Sequence, residues 1–246
     1  MQAGRKARLH FKVRPMGYFS DGFLKAAELL LNMDDATVSA IQATLSSTAC
    51  ALVCAMILGL PLGFLIGYTN FPGKKLARLI SDTLLAFPTV LIGLVVYIFI
   101  TYRGPLGHLG LLFTLPGMVI GQTILALPII VSWTAQAVEN LDPRCRQTLL
   151  TLGAQPMQLA LLTIREIRYD IGMVCVTAFG RVVTEVGVAM MLGGNIRYHT
   201  RTMTTAISLE TSKGEFAQGI ALGLVLLLIA FIVNAALSWF RQKGRV

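Results

Sequence analysis

Five apolar stretches, each long enough to cross a lipid bilayer, constrain the fold of this chain more than any other feature. About 20 helical residues, at a rise of 1.5 Å each, span the hydrocarbon core. Charged residues make up only 13% of the 246 residues, whereas soluble domains carry about 25%. The sequence therefore predicts an all-α, polytopic membrane protein, a helical bundle with spans near residues 49–68, 79–100, 111–138, 171–192 and 219–240.

The lysines and arginines between these spans predict how the chain is oriented in the membrane. Basic residues concentrate in cytoplasmic loops, so the net charge of +9 needs no nucleic-acid partner. One side of the predicted bundle holds Lys74, Lys75, Arg78, Arg144, Arg146, Arg165, Arg168, Arg241, Lys243 and Arg245. The opposite loops hold Arg103, Arg197, Arg201 and Lys213. We therefore expect the loop at residues 139–170 and the C-terminus to be cytoplasmic.

The N-terminal segment does not follow this charge rule. With five spans the N-terminus lies outside the cell, yet residues 1–16 form a basic extension. Residues 17–31 are short for a sixth span and carry charges, so we expect an amphipathic helix at the membrane interface. In a second hypothesis Met16 is the first residue, which would remove the basic extension. N-terminal sequencing that finds Gln2 would contradict this hypothesis.

A charged island interrupted by glycine, at residues 147–168, separates the third and fourth predicted spans. Asp142 before Pro143 is typical of a helix N-cap followed by proline in the first turn. The helix that begins there is expected to stop at Gly153, and a second helix is expected to start after Pro156. Two short helices joined at such a corner would form a compact knob that could enter a groove on a partner.

Arg181 and Glu185 lie in the fourth predicted span. An unpaired arginine at the centre of a membrane helix costs about 2.5–3.5 kcal/mol on insertion scales, so it needs a partner. Glu185 is four residues later, where side chains share one face of a helix. Gly180, Thr184 and Gly187 form a strip of small residues beside the pair, which suits close helix packing. Two interpretations stay open: Arg181 faces a water-filled path and attracts an anion, or the two charges only fix the packing.

The segment at residues 193–218 follows on the predicted external side. It holds Asn195, Arg197 and Arg201 among several serines and threonines, so it could receive an anion or contact a partner. The alternative is a solvated loop with a short helix at residues 202–209 on the membrane surface. The sequence contains no Gly-x-x-x-x-Gly-Lys-Ser/Thr phosphate loop, so this chain does not hydrolyse ATP by that device, and energy must come from another subunit or from an ion gradient.

The island resembles the cytoplasmic coupling loop of ABC importer permeases, which contacts the ATPase. The resemblance rests on the motif Gln147-Thr148-Leu149-x-x-x-Gly153-Ala154, where Glu-Ala-Ala-x-x-x-Gly is usual. A second departure is Arg165-Glu166, which stands where Leu-Pro is usual. These departures bear on the subfamily more than on the family.

The fourth span and the segment after it resemble the oxyanion branch of the same permeases, which handles molybdate, sulfate and tungstate. The motif is Phe179-x-Arg181-x-x-x-Glu185-x-Gly187, and the turn Gly193-Gly194-Asn195 follows it. Residues 190–216 are most similar to the tungstate type. The resemblance extends over nearly the whole chain after the basic extension.

This resemblance implies the fold, the partners and the location of the chain. It implies a type I ABC importer permease, with one transmembrane domain at residues 17–246, that forms a homodimer around a path through a prokaryotic inner membrane. Two ABC ATPase subunits would bind ATP and Mg²⁺, so this chain would hold no cofactor and would be a permease rather than an enzyme. An extracytoplasmic binding protein would deliver the oxyanion near Asn195, Arg197 and Arg201.

The sequence leaves other functions open. A molybdate or sulfate permease would have the same fold and a different delivery protein. A proton-coupled secondary transporter could use Glu185 as its titrating group, although no internal repeat of the kind found in such transporters is visible. A purely structural membrane scaffold is a third alternative, which the charge pair and the coupling-like loop disfavour.

Overall fold

The computed structural model describes residues 17–32, 34–142, 144, 147 and 150–243, and within these ranges all regular structure is helical. The predicted all-α fold class is therefore confirmed. The helices are α1 (Gly17–Leu31), α2 (Asp35–Tyr68), α3 (Lys74–Leu85), α4 (Thr89–Ile100), α5 (Leu115–Glu139), α6 (Pro156–Glu166), α7 (Arg168–Val183), α8 (Gly187–Gly193), α9 (Met203–Ser212) and α10 (Phe216–Lys243).

Three of these helices are long and apolar enough to cross a membrane on their own, namely α2, α5 and the Phe216–Ala236 part of α10. Two further pairs are apolar enough together but are bent, because α3 meets α4 at 99° and α7 meets α8 at 60°. If each bent pair is one broken span, the described residues contain up to five spans, in agreement with the sequence. The second and fourth spans, expected near residues 79–100 and 171–192, are then each interrupted by a bend.

Proline explains the first bend. Pro88 directly precedes α4 with φ of −61° and ψ of 123°, and α3 ends at Leu85. A proline ring disfavours helical backbone at the preceding residue, here Phe87, and proline lacks a backbone donor. The apolar run therefore continues past this point in a new direction.

The second bend, between α7 and α8, contains no proline and is built from side chains that bond to the backbone. The hydroxyl of Thr184 donates to the carbonyl of Gly180 at 3.0 Å, and Oε1 of Glu185 accepts from the amide of Val188 at 3.1 Å. Such local bonds compete with continuation of the helix. The fourth span therefore breaks at residues that the sequence analysis places inside one helix.

The third span begins at Leu115 rather than at residue 111, because Thr114 caps α5. Its hydroxyl oxygen accepts from the amide of Gly117 at 3.2 Å. The preceding residue, Phe113, has a left-handed φ of 60°, and its amide donates to the carbonyl of Leu192 at 2.8 Å. This bond joins the start of α5 to the end of α8, a contact that nothing in the local sequence indicates.

Helices α2 and α5 run parallel and pack backbone to backbone in the centre of the bundle. Halfway along α2, the carbonyl of Ala51 accepts a hydrogen bond from the hydroxyl of Thr123 in α5 at 3.4 Å. Further along, a Cβ at Gly63 would lie 2.6 Å from the carbonyl oxygen of Val131, and Gly67 is packed in the same way. Only glycine permits this approach, as in other membrane helix pairs that use small residues.

The bundle has two ends, and each end is formed by a different set of helix termini and connecting residues. The loop end comprises the C-termini of α2 and α5, the N-terminus of α3, and α6 with residues 150–155. The turn end comprises the N-termini of α2, α5 and α10, and residues 193–216. At the turn end, the carboxylate of Asp34 accepts from the amide of Thr37 at 2.9 Å. Asp34 therefore caps the first long helix.

Helix α1 packs along the beginning of α10. A Cβ at Gly22 would lie 2.6 Å from Ile220, and Ala26 is buried against the same helix. On the other face of α1, 70% of Phe23 is exposed. An exposed apolar face beside a packed one is compatible with an interfacial helix. The interfacial position of α1 stays a prediction. The basic extension at residues 1–16 lies outside the described residues.

Candidate functional site

The predicted charge pair lies at the bend between α7 and α8. Nη1 of Arg181 is 3.7 Å from Oε2 of Glu185. The two side chains differ in burial, since 3% of Glu185 and 45% of Arg181 is exposed. Arg181 is in the last turn of α7, and Glu185 follows the end of that helix. The pair therefore spans the bend instead of lying within one continuous helix.

Glu185 is held by contacts to three elements. Its Oε1 accepts from the amide of Val188, its carbonyl accepts from the hydroxyl of Thr204 in α9 at 2.8 Å, and its amide donates to the carbonyl of Val182. Both carboxylate oxygens thus have a partner, which offsets the cost of burying a charge. This arrangement fixes the carboxylate with which Arg181 pairs.

The face of α7 that carries Arg181 is uncovered. Thr184 is exposed, and within the described part of the chain no atom would lie within 4 Å of a Cβ on Gly180. Gly187 differs, since a Cβ there would lie 3.1 Å from Val90 of α4. The predicted strip of small residues is therefore split, and only its Gly187 end packs against another helix of this chain.

Asn195 and Arg201 build a compact turn after α8. Asn195 has a left-handed φ of 52°. Nε of Arg201 donates to the Asn195 side-chain oxygen at 3.0 Å, and Nη2 donates to its carbonyl at 3.3 Å. Thr200 adds a hydrogen bond to the carbonyl of Gly193 and accepts from the amide of Ile196 at 3.2 Å. The guanidinium of Arg201 therefore stabilises this turn, a role that the sequence did not reveal.

Arg197, by contrast, points outward. Its guanidinium carbon lies 4.9 Å from the centroid of the Tyr198 ring. It lines a cavity of about 500 Å³ at the turn end, whose charged lining residues are Lys25, Asp34, Arg197, Arg201, Glu210, Lys213 and Glu215. Lys213 and Glu210 form an ion pair at 2.8 Å. The cavity therefore offers charges of both signs rather than a purely cationic surface.

The short helix predicted at residues 202–209 is α9. Thr202 caps it by accepting from the amide of Thr205 at 3.2 Å. The residues of its first turn are at most 6% exposed, and the amide of Met203 donates to the hydroxyl of Thr44 in α2 at 2.9 Å. The first turn of α9 is therefore packed inside the bundle, which does not agree with a helix that lies on a surface.

The loop end carries the predicted corner. Gly153 has a left-handed φ of 79°, and its amide donates to the carbonyl of Leu150 at 3.0 Å. Helix α6 then begins at Pro156, and the amide of Gln155 donates to the side chain of Gln158 at 2.8 Å, which caps the new helix. The chain thus stops and restarts where its sequence predicts.

Apolar side chains flank this corner and are exposed. The exposed fraction is 78% for Leu152 and 71% for Met157. Gln147 is also exposed, and Ala154 is half-buried. The other two members of the predicted motif, Thr148 and Leu149, lie outside the described residues. Large exposed apolar side chains of this kind suit a contact with another protein.

A comparison with protein families decides the class of the chain. The family described as binding-protein-dependent transport system inner membrane component matches residues 59–246. The chain belongs to that family. The permease is 50% identical over 219 residues to the tungstate uptake system permease protein TupB of Campylobacter jejuni subsp. jejuni serotype O:2, covering 89% of this chain and 92% of the other. It is 39% identical over 228 residues to TupB of Peptoclostridium acidaminophilum, covering 93% and 100%.

More distant similarity extends to another permease and to a solved structure. The permease is 28% identical over 166 residues to the molybdenum transport system permease protein ModB of Azotobacter vinelandii, covering 64% of this chain and 74% of the other. A bacterial alginate ABC transporter, solved with an alginate pentasaccharide-bound periplasmic protein, has the same fold, with a TM-score of 0.73, 18% identity and coverage of 96% and 90%. The predicted type I ABC importer permease fold, and a permease subunit rather than an enzyme, are confirmed.

Proposed function

We propose that this permease is the membrane-spanning subunit of an ATP-driven importer for an oxyanion, and that tungstate is its substrate. The single observation that carries the substrate is the high identity, over most of the chain, to two tungstate uptake permeases. Similarity to molybdenum and sulfate permeases is lower and covers less of the chain. Molybdate and sulfate, which are also tetrahedral dianions, are therefore the second candidates.

In this proposal the loop end and the C-terminus are cytoplasmic, and the turn end is extracytoplasmic. The basic side chains Lys74, Lys75, Arg78, Arg165 and Arg168 belong to the loop end, which supports this orientation. At the turn end, carboxylates line the same cavity as the basic residues. The membrane would be the inner membrane of a prokaryotic cell.

The Gly153 corner is the surface through which ATPase subunits drive the permease. The residues that enter a groove on the ATPase are Gln147, Thr148, Leu149, Gly153 and Ala154. The exposure of Leu152 and Met157 supports a protein contact at this position. ATP and Mg²⁺ would bind to the ATPase subunits, and closure of those subunits would move the corner.

Two copies of the permease would enclose the path, with the uncovered face of α7 directed toward the two-fold axis. Arg181 would then contribute a positive field to a passing dianion, beside the hydroxyl of Thr184. Glu185 would fix the orientation of Arg181 without facing the path itself. The 45% exposure of Arg181 and the 3% exposure of Glu185 support this division of roles.

An extracytoplasmic binding protein would dock at the turn end and release the oxyanion there. Arg197 is best placed to contact it, because its side chain points outward beside a cavity with charges of both signs. Asn195 and Arg201 shape the turn that presents Arg197. Complementary charges at such a surface orient the encounter and raise its rate.

Uptake of labelled tungstate by cells with and without this chain tests the substrate, at low external concentration and with molybdate as competitor. We expect deletion to abolish uptake and molybdate to compete little. If tungstate uptake is unchanged and molybdate or sulfate uptake is lost, the substrate assignment is wrong. If uptake needs no ATPase partner and stops when the proton gradient is collapsed, a secondary transporter would replace the proposal.

A further inference from the structure

Glu139, the last residue of α5, pairs with two basic side chains that lie one turn apart on α3. Nζ of Lys74 is 3.1 Å from Oε1 of Glu139, and Nε of Arg78 is 3.5 Å from Oε2. Each carboxylate oxygen therefore has its own cation. Residues four apart share one face of a helix, so the single carboxylate of Glu139 can pair with both Lys74 and Arg78.

Further hydrogen bonds extend this attachment along α5. Nη1 of Arg78 donates to the carbonyl of Ser132 at 2.8 Å, and the hydroxyl of Ser132 donates to the carboxylate of Asp82. Ser132 is seven residues before Glu139, or about two helical turns. Helix α3 is thus bonded to the last two turns of α5.

Lys74 also joins a third helix to this network. Its Nζ donates to the carbonyl of Gly67 in the last turn of α2 at 3.0 Å. The C-terminal carbonyls of a helix lack partners within that helix, and a lysine is a favourable one. Since α2 and α5 are packed backbone to backbone, α3 is attached to a closely packed pair of helices.

Polar contacts, rather than apolar packing, hold α3 against the rest of the described chain. Ser81 is the buried residue of α3, whereas the exposed fraction is 60% for Leu76, 63% for Leu79 and 51% for Ile80. Three of the paired side chains are better shielded, with 22% of Lys74, 20% of Arg78 and 31% of Glu139 exposed, whereas 48% of Asp82 is exposed. Ion pairs that are partly shielded from water and linked in a network are stronger than isolated surface pairs.

Both ends of this network lead to parts of the proposed transport mechanism. Glu139 is followed directly by the chain that forms the Gly153 corner. At the other end, α3 continues through the 99° bend into α4. There a Cβ on Gly187 would lie 3.1 Å from Val90 and 3.2 Å from Oε1 of Glu185. A series of contacts therefore links Glu139, through α3 and α4, to the bend that carries the charge pair.

We propose that Lys74, Arg78, Asp82, Ser132 and Glu139 form a clamp that makes α3 move together with α5. When the Gly153 corner is displaced, the clamp transmits the motion to α3 and, through α4, to the bend between α7 and α8. Glu139 is a positioning residue in this mechanism, since it acts through α3 and not on the substrate. The inference rests on the proposed function, in which an ATPase displaces the corner.

The test uses the complex of permease, ATPase and binding protein in liposomes, and measures tungstate transported per ATP hydrolysed. In Glu139→Gln and Arg78→Met, we expect ATPase activity to persist and the transport ratio to fall about three- to tenfold, because mutations in a coupling network weaken coupling by that order. Lys75→Met is the matched control: Lys75 is exposed and makes no ion pair with a described residue, so its ratio should not change.

A double variant distinguishes one shared clamp from two residues that affect the transport ratio independently. Because Lys74 and Glu139 act in one contact, Lys74→Met with Glu139→Gln should lower the ratio no further than the more severe single variant. Fully additive losses would contradict the clamp. A parallel loss of ATPase activity and transport would also contradict it, since that pattern indicates a role in assembly.

Hydrogen exchange of the α3 amides provides a measurement that does not depend on the substrate. In the assembled complex, Glu139→Gln should accelerate exchange across Lys74–Leu85 about three- to tenfold, and Lys75→Met should not. Unchanged protection would overturn the clamp. Absence of tungstate transport by the wild-type complex would overturn the proposed function instead. The exchange rates would still test the clamp in that case.

Discussion

Glu185 and Arg181 are paired at 3.7 Å, yet the carboxylate is 3% exposed and the guanidinium side chain is 45% exposed. The pair is therefore asymmetric: one member is fixed inside the bundle, and the other extends from an uncovered helix face. Glu185 also caps α8 through the amide of Val188. This difference in burial supports the proposal that Glu185 positions Arg181 and that Arg181 supplies a positive field.

This asymmetry predicts different effects for the two residues. Glu185→Ala removes the cap and the ion pair and should lower the free energy of unfolding by about 1–3 kcal/mol. Arg181→Met with Glu185→Gln retains an acceptor for Val188, so this double variant should fold but should not transport tungstate. Thermal unfolding in detergent and uptake in liposomes measure the two effects. Full transport by the double variant would favour a purely structural pair.

Gly153→Asp should prevent the ATPase from engaging while the permease stays folded. A carboxylate placed in a protein contact without a partner costs at least about tenfold in affinity, and transport should be lost with it. Gly214→Asp is a matched control for co-purification of the ATPase, because Gly214 also has a left-handed φ, 84° against 79°, and equally open surroundings within the described ranges, but lies at the opposite end of the bundle. Co-purification of the ATPase and uptake would be measured. Normal coupling in Gly153→Asp would refute the assignment of the corner.

Gly63→Ala should destabilise the central pair of helices. The added Cβ would lie 2.6 Å from the carbonyl oxygen of Val131, so α2 and α5 must separate, at a cost of about 1–3 kcal/mol. Gly223→Ala in α10 meets no atom within 4 Å among the described residues and should gain about 0.5–1 kcal/mol from helix propensity. Unfolding temperatures of both variants would be compared with wild type. Equal temperatures would contradict the close packing.

Substitution by alanine should affect docking at Arg197 and stability at Arg201. Arg197→Ala should weaken binding-protein docking about threefold at low salt and less at high salt, without changing stability. Arg201→Ala removes two hydrogen bonds to Asn195 and should lower stability by about 1–2 kcal/mol. Docking affinity as a function of salt, together with thermal unfolding, distinguishes them. A stability loss in Arg197→Ala would show that the roles are assigned wrongly.

The apolar spans and the corner at Gly153 were determined by the local sequence, and the Asp34 cap that the structure shows is also a local feature. Each depends on residues within a few positions of one another: hydropathy over about 20 residues, a carboxylate before a helix, or a glycine between two helical segments. The spacing of Arg181 and Glu185 also placed the pair correctly, because the chain still turns by about one helical turn between them.

Only the tertiary structure decided how sharply the second span bends at Pro88, where the fourth span bends, and what α3 is bonded to. Hydropathy averages over the few residues that form each bend, so a broken span and a continuous one score alike. Lys74 and Arg78 counted in the sequence only as orienting charges, and their partner Glu139 lies on a helix far along the chain. Contacts of this kind depend on how α2, α3 and α5 pack together, which no local pattern of residues specifies.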